Sequence, residues 1–449
     1  MKIGFGKQDI TPRPGVELYG YSGYLNRYAS AVRDRLYARS MAVRQGQKTL
    51  VLVSCDLIFI PAWLSGEVRR RVARVSGLDP SSVMVHATHT HSGPCVKVAY
   101  RNSYDPPYTA LLPRRIAGAC LAAVRSLRPA VLSHAQVPCE GIGTNRVYDK
   151  FTYGEAAWED DFRPDRPELT DTRCHVLRAD DGDKLLGFIS CFGCHNVVGG
   201  SGSTYLHGDY AGIATGMLER ENPGSVGLFL QGADGDVNAA GGCRGDDTVL
   251  YALDVTAGRY ARAVRAGLSR ARSLSVQGLA TVRLPVRFSR QPPDVARLRR
   301  MLADEEAHLD AAGASDEDPK VRWATLRSQA LRDILDRLER GDSFENETEL
   351  QGHRVGPVSF LATPLEVFQA IKNDVVDQAG SPVPLVMSVT NDEQGYAVDR
   401  TAAGNPEDYG AYTVPLWKHT LPYRRIHEEL IEGLLEVDRR LWREERADA

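Results

Sequence analysis

The chain has 449 residues, 43% of them hydrophobic and 25% charged, a balance that excludes disordered, collagen-like and coiled-coil classes. Its 55 Lys and Arg against 58 Asp and Glu leave a net charge of −3, so no nucleic-acid partner is expected. The longest apolar stretch, residues 50–64, is broken by Asp56 and Pro61, and the first residues (MKIGFGKQDITP) lack a signal-type apolar run. No transmembrane segment is expected. Eight cysteines without framework spacing read as reduced thiols and predict a cytoplasmic protein.

In chain order, residues 50–59 (LVLVSCDLIF) read as a buried strand, 65–77 as an arginine-rich surface helix and 83–91 (VMVHATHTH) as a second strand. A helix follows over 108–127, with Pro113 in its first turn or at a kink. Strands are expected at 130–137, 172–179 and 184–193, a helix at 210–221, a strand at 225–232 and a helix at 251–273. Residues 292–340, rich in Glu, Asp, Arg and Leu with a polar break at 310–320, predict an inserted helical hairpin. Strand signals return at 347–364 and 384–391, a polar loop covers 395–415, and an amphipathic helix spans 423–445. The fold class is therefore α/β, with mixed β-sheets and helices packed outside. No internal repeat or biased linker is apparent, and residues 1–449 are expected to form one compound domain.

Three clusters carry candidate chemistry. In His86-Ala87-Thr88-His89-Thr90-His91-Ser92-Gly93-Pro94, an extended strand would put His89 and His91 on one face and His86 on the other. The two imidazoles would then stand roughly 6.6 Å apart, which suits one metal ligand beside one acid/base better than two ligands. Cys191-Phe192-Gly193-Cys194-His195 has the spacing of a haem-attachment motif, but at the end of a buried strand the cysteines read as packing residues and His195 as a further ligand candidate. Asp234, Asp236 and Asn238 mimic the start of a calcium loop, which fails where its glycine position holds Ala239. No G-x-S-x-G elbow or phosphate loop is present.

The segment ATHTHSGP (87–94) resembles the neutral, non-lysosomal ceramidase family. Further similar islands keep the family's order: KQDITPRPGVELYGY (7–21), VSCDL (53–57), Asn145-Arg146, GCHN (193–196), HGDYAG (207–212), QGADGDVN (231–238), TPLE (363–366) and NDEQGY (391–396). The resemblance implies one Zn²⁺ per chain, held by His89, His195, Glu366 and Tyr396, with His91 as the neighbouring general base. It implies that Arg146 and a tyrosine of 409–412 hold the developing oxyanion, Tyr412 in preference to Tyr409 because a valine follows it closely. It also implies hydrolysis of an N-acyl amide bond.

Two departures bear on the substrate. The resemblance places a serine where this chain has Asn238, and implies an immunoglobulin-like C-terminal domain that is not expected within these 449 residues. The expectation is a zinc-dependent amidohydrolase acting on a small acyl or amide compound other than ceramide. The rivals are a zinc-dependent acyl transfer or cyclisation, and a non-catalytic metal-stabilised binding protein.

Overall fold

The computed structural model describes residues 1–21, 27–96, 105–149, 162–182, 184–242 and 248–447. Its scaffold is three sheets of like topology. In the first, Lys2–Asp9, Tyr37–Gln45 and Lys48–Cys55 pair antiparallel in succession. The helix Ala62–Ser76 then crosses to Val83–Ala87, which runs parallel to Lys48–Cys55, and the helix Pro106–Arg125 follows. The second sheet repeats this order with Val131–Pro138, Arg173–Asp180, Leu185–Phe192, the crossing helix Asp209–Glu221, parallel Val226–Gln231 and the helix Val249–Arg270. The third does so with Leu279–Arg287, Glu347–Val355, Val358–Ala362, the helix Gln369–Gln378, parallel Val383–Met387 and the helix Ile426–Ala447. Two-residue edge strands, Arg128–Pro129 and Arg272–Ser273, even occupy corresponding places beside the first strand of sheets one and two. The sheets thus repeat one another although no repeat is apparent in the sequence. The repeat lies in topology, and strands that need only alternating or continuous apolar residues leave no shared sequence behind.

One face of each sheet points to a common core, where Ile3, Met41 and Leu52 meet Leu177 and Leu228 of the second sheet and Phe360 of the third. The other faces are closed by helix pairs: Leu64 and Ile116 over the first sheet, Tyr210 and Tyr260 over the second, Ile371 and Leu434 over the third. Burial on both faces explains the continuous apolar run Leu50–Val53 within Lys48–Cys55, a strand with all but its first residue buried.

Most expected elements are present, including the helical hairpin, whose arms Val295–Leu309 and Pro319–Arg340 begin at the side-chain caps Asp294 and Asp318. They bury Leu298, Leu331 and Ile334 against Phe344 and Leu421. Four of the longer elements among the described residues were not expected: the strands Lys2–Asp9, Tyr37–Gln45 and Leu279–Arg287 and the helix Gln369–Gln378. In the first strand the reason is visible. Gly4 and Gly6 weaken its strand signal, yet a Cβ on either would fall 2.2 Å from a carbonyl of the helix Pro106–Arg125. No helix among the described residues is long and apolar enough to cross a membrane.

Candidate metal centre

The site gathers where the paired parallel strands of all three sheets end, the carboxyl-end location that open α/β sheets use for ligands. His89 and His91 follow Val83–Ala87, His195 follows Leu185–Phe192, and residues 234–238 follow Val226–Gln231. Glu366 and Tyr396 face each other across a short parallel pair, Leu365–Val367 with Gly395–Ala397. Backbone strain collects at these ends. His89 has φ 65°, Val389 has φ 43° and Asn391 has φ 65°, conformations that side chains rarely adopt.

The expected strand over 83–91 is corrected here, for it stops at Ala87. The left-handed turn at His89 swings the next two residues, so the imidazoles do not stand in strand register. The Nε2 atoms of His91 and His89 lie 3.3 Å apart, and with His195 they form one buried group of three imidazoles. His86 sits apart from them: its ring takes Thr390 Oγ1 at 2.8 Å and accepts the Gln231 N–H, and burial pushes its pKa down to about 3.

Tautomers follow from the backbone. His89 Nδ1 donates to the Ile58 carbonyl at 2.6 Å and His195 Nδ1 to the Asp234 carbonyl at 2.5 Å. Both Nε2 atoms therefore carry lone pairs and face inward, the arrangement that orients metal-binding histidines. Glu366 Oε2 lies 3.1 Å from His195 Nε2 and 3.5 Å from His89 Nε2, so acceptors face acceptors at short range. Such a set repels itself unless a cation or proton stands between its members. Burial opposes protonation of His89, but Glu366 and Asp234 outweigh it and raise its pKa. Two donors bound tetrahedrally at about 2.0–2.2 Å stand about 3.3–3.6 Å apart, close to the separations seen. The residues present fit a Zn²⁺-type ion. His91 differs from its neighbours: its Nδ1 has no hydrogen-bond partner among the described residues, and burial followed by His89 and His195 holds its pKa well below the usual value.

Around this group, the Tyr396 hydroxyl is within hydrogen-bonding reach of Glu366 and Arg146. Arg146 is anchored by Nε and Nη2 donating to the Gly235 carbonyl at 3.2 and 2.6 Å, and its guanidinium lies 5.3 Å over the Tyr396 ring. Asn238 lies on Val237–Ala239, bridged to His195 and paired with Thr144 of Gly143–Asn145. Of the two candidate tyrosines, Tyr412 lies away from the histidine group. Its hydroxyl donates to the Ala403 carbonyl at 3.0 Å, and its ring lines a cavity beside the helical hairpin. Tyr409 is the one that packs on Tyr396, with ring centroids 6.2 Å apart. A one-turn helical segment over 409–413 separates the two side chains, a register no loop-length argument predicts. Cys191 and Cys194 are free and buried in the sheets, as packing residues.

One neighbour was missed. Asp234 is fully buried, with Oδ2 3.9 Å from His89 Nε2. A carboxylate closing a buried apolar strand is the sequence signal for it, within the family-like island 231–238.

Comparison with known proteins agrees with the fold and the motifs. The family description "Neutral/alkaline non-lysosomal ceramidase, N-terminal" matches residues 1–247. A neutral ceramidase from Mycobacterium tuberculosis is 25% identical over 260 residues, 53% of this chain and 40% of that protein. One from Pseudomonas aeruginosa is 35% identical over 98 residues, covering 21% and 14% respectively. This chain thus spans 40% or less of the length of these curated relatives. The crystal structure of the Pseudomonas aeruginosa neutral ceramidase superposes with a TM-score of 0.74 at 19% identity, over 98% of this chain and 75% of that one. A structure of ceramidase complexed with C2 gives the same values. With the family description covering more than half of its residues, this chain belongs to the neutral/alkaline non-lysosomal ceramidase family.

Proposed function

We propose that this chain is a zinc-dependent amidohydrolase that cleaves the N-acyl bond of a small molecule by water. The observation that carries the reading is the convergence of the His89 and His195 Nε2 lone pairs on Glu366, each ring held by a backbone carbonyl. His89, His195, Glu366 and the Tyr396 hydroxyl would hold the ion. When bound, Zn²⁺ supplies a water whose pKa is lowered towards about 7 and polarises the acyl oxygen. His91, buried and neutral, would take a proton from water at Nε2 and later return it to the leaving amine. Its lack of an orienting carbonyl supports acid/base work over ligation. Arg146 and Tyr409 would stabilise charge on the acyl oxygen, and Asn238 would read a polar group on the substrate. We read residues 1–449 as one catalytic domain with an inserted hairpin at 292–340, and the buried free thiols support a cytoplasmic setting.

The test combines metal content with a substrate panel. Wild type should hold about one zinc and prefer short polar amides to long-chain ceramide. Asn238→Ser should reduce turnover of the preferred substrate, because an unpaired buried group costs about 1–3 kcal/mol. Zinc content unchanged in both His89→Ala and His195→Ala would sink the ligand set. Efficient cleavage of long-chain ceramide, unaffected by Asn238→Ser, would sink the substrate assignment.

A further inference from the structure

Asp234 is the buried group in the centre that the proposed mechanism leaves unused. Its side chain is fully buried, burial raises its pKa to about 7, and neither carboxylate oxygen has a hydrogen-bond partner among the described residues. Its main chain already serves the site, since the Asp234 carbonyl fixes the His195 tautomer. Oδ2 lies 3.9 Å from His89 Nε2. At that distance the two atoms are not hydrogen-bonded, and the His89 Nδ1 proton goes to the Ile58 carbonyl. A buried carboxylate oxygen and a ring nitrogen thus face each other too far apart to hydrogen-bond, and a cation between them would satisfy both.

We infer that Asp234 is a second carboxylate ligand of the divalent ion, beside Glu366. The inference rests on the metal reading of the centre given above. Two donors about 2.0–2.2 Å from one ion can stand at most about 4.4 Å apart, so 3.9 Å is within reach of a shared ion. It is wider than the 3.1–3.5 Å separations of Glu366 from the imidazoles, and so calls for a larger angle at the ion. Four evenly spread ligands do not offer that angle, whereas a centre of higher coordination number does. Charge agrees, for two carboxylates and neutral imidazoles together balance a divalent cation.

The experiment is Co²⁺ titration of metal-free protein, reading affinity and visible absorption, on wild type, Asp234→Asn, Asp234→Ala and Asp234→Glu. Asn and Ala should weaken Co²⁺ at least tenfold and strengthen the d–d bands as the coordination number falls. Glu should keep most of the affinity. Wild-type affinity and spectrum in both Asn and Ala would overturn the Asp234 assignment while leaving the metal centre standing. A wild type that takes up no Co²⁺ or Zn²⁺ would take both readings down together. Should the variants not fold, infrared difference spectra of wild type on metal loading decide the matter. Bands from two engaged carboxylates support the inference, and bands from one overturn it.

Discussion

His91 stands 3.3 Å from a proposed ligand and differs from it in one bond: no carbonyl holds its Nδ1. His91→Ala should therefore keep the metal while turnover falls roughly 10²–10⁴-fold, the usual range for losing a general acid/base. Elemental analysis beside kinetics checks this, and loss of zinc in the variant would make His91 a ligand. A histidine far from the centre gives a pH prediction. His353 is buried in the strand Glu347–Val355, and burial pushes its pKa down to about 3 from an unfolded value near 6.5. The unfolded chain thus takes up the proton first. The contribution of neutral His353 to stability is full above about pH 6.5 and is lost as pH falls towards 3. Between pH 7 and pH 5, wild type should lose about 2 kcal/mol more stability than His353→Gln in urea titrations. Equal losses in the two proteins would refute the shift.

Among the elements, the strand Lys2–Asp9 shows how packing overrides propensity. Glycine is a poor strand residue, but the helix Pro106–Arg125 lies so close over Gly6 that a Cβ would meet the Ala119 carbonyl at 2.2 Å. Gly6→Ala should destabilise by about 1–3 kcal/mol through overpacking, despite its better intrinsic propensity. A variant as stable as wild type in chemical denaturation would mean that the helix yields at no cost. The segment 409–413 teaches a related lesson. Its helical turn directs Tyr409 to Tyr396 and Tyr412 to the hairpin, so one turn of backbone decides which tyrosine can serve the site.

At the scale of the whole molecule, three like sheets share one core, and each sends loops from its parallel strand ends to one centre. The proposed ligand set is therefore assembled across sheets: His89 from the first, His195 from the second, Glu366 from the third. Phe360 lies in the shared core at 2% exposure. Phe360→Ala should cost about 3–5 kcal/mol and lower the unfolding of all three sheets together. Calorimetry should show one shifted transition. Separate transitions, with only one shifted, would mean that the sheets do not stabilise one another.

By itself the sequence determined the α/β class, most helices and strands, the inserted hairpin and the histidine and carboxylate segments of the centre. Local periodicity and short motifs carry those, because each depends on residues within one turn or one strand. It also held the resemblance through which Glu366 and Tyr396 were found, distant in sequence from His89. Only the tertiary structure decided that His89 turns left-handed and brings His91 within 3.3 Å, that Tyr409 rather than Tyr412 meets Tyr396, and that Asp234 points into the centre. Each of these is set by a backbone turn at a strand end, where neighbouring sheets impose a conformation that no local pattern encodes. The threefold topology was hidden for the same reason: strand order is a property of pairing between distant segments, and very different residues satisfy the same pairing.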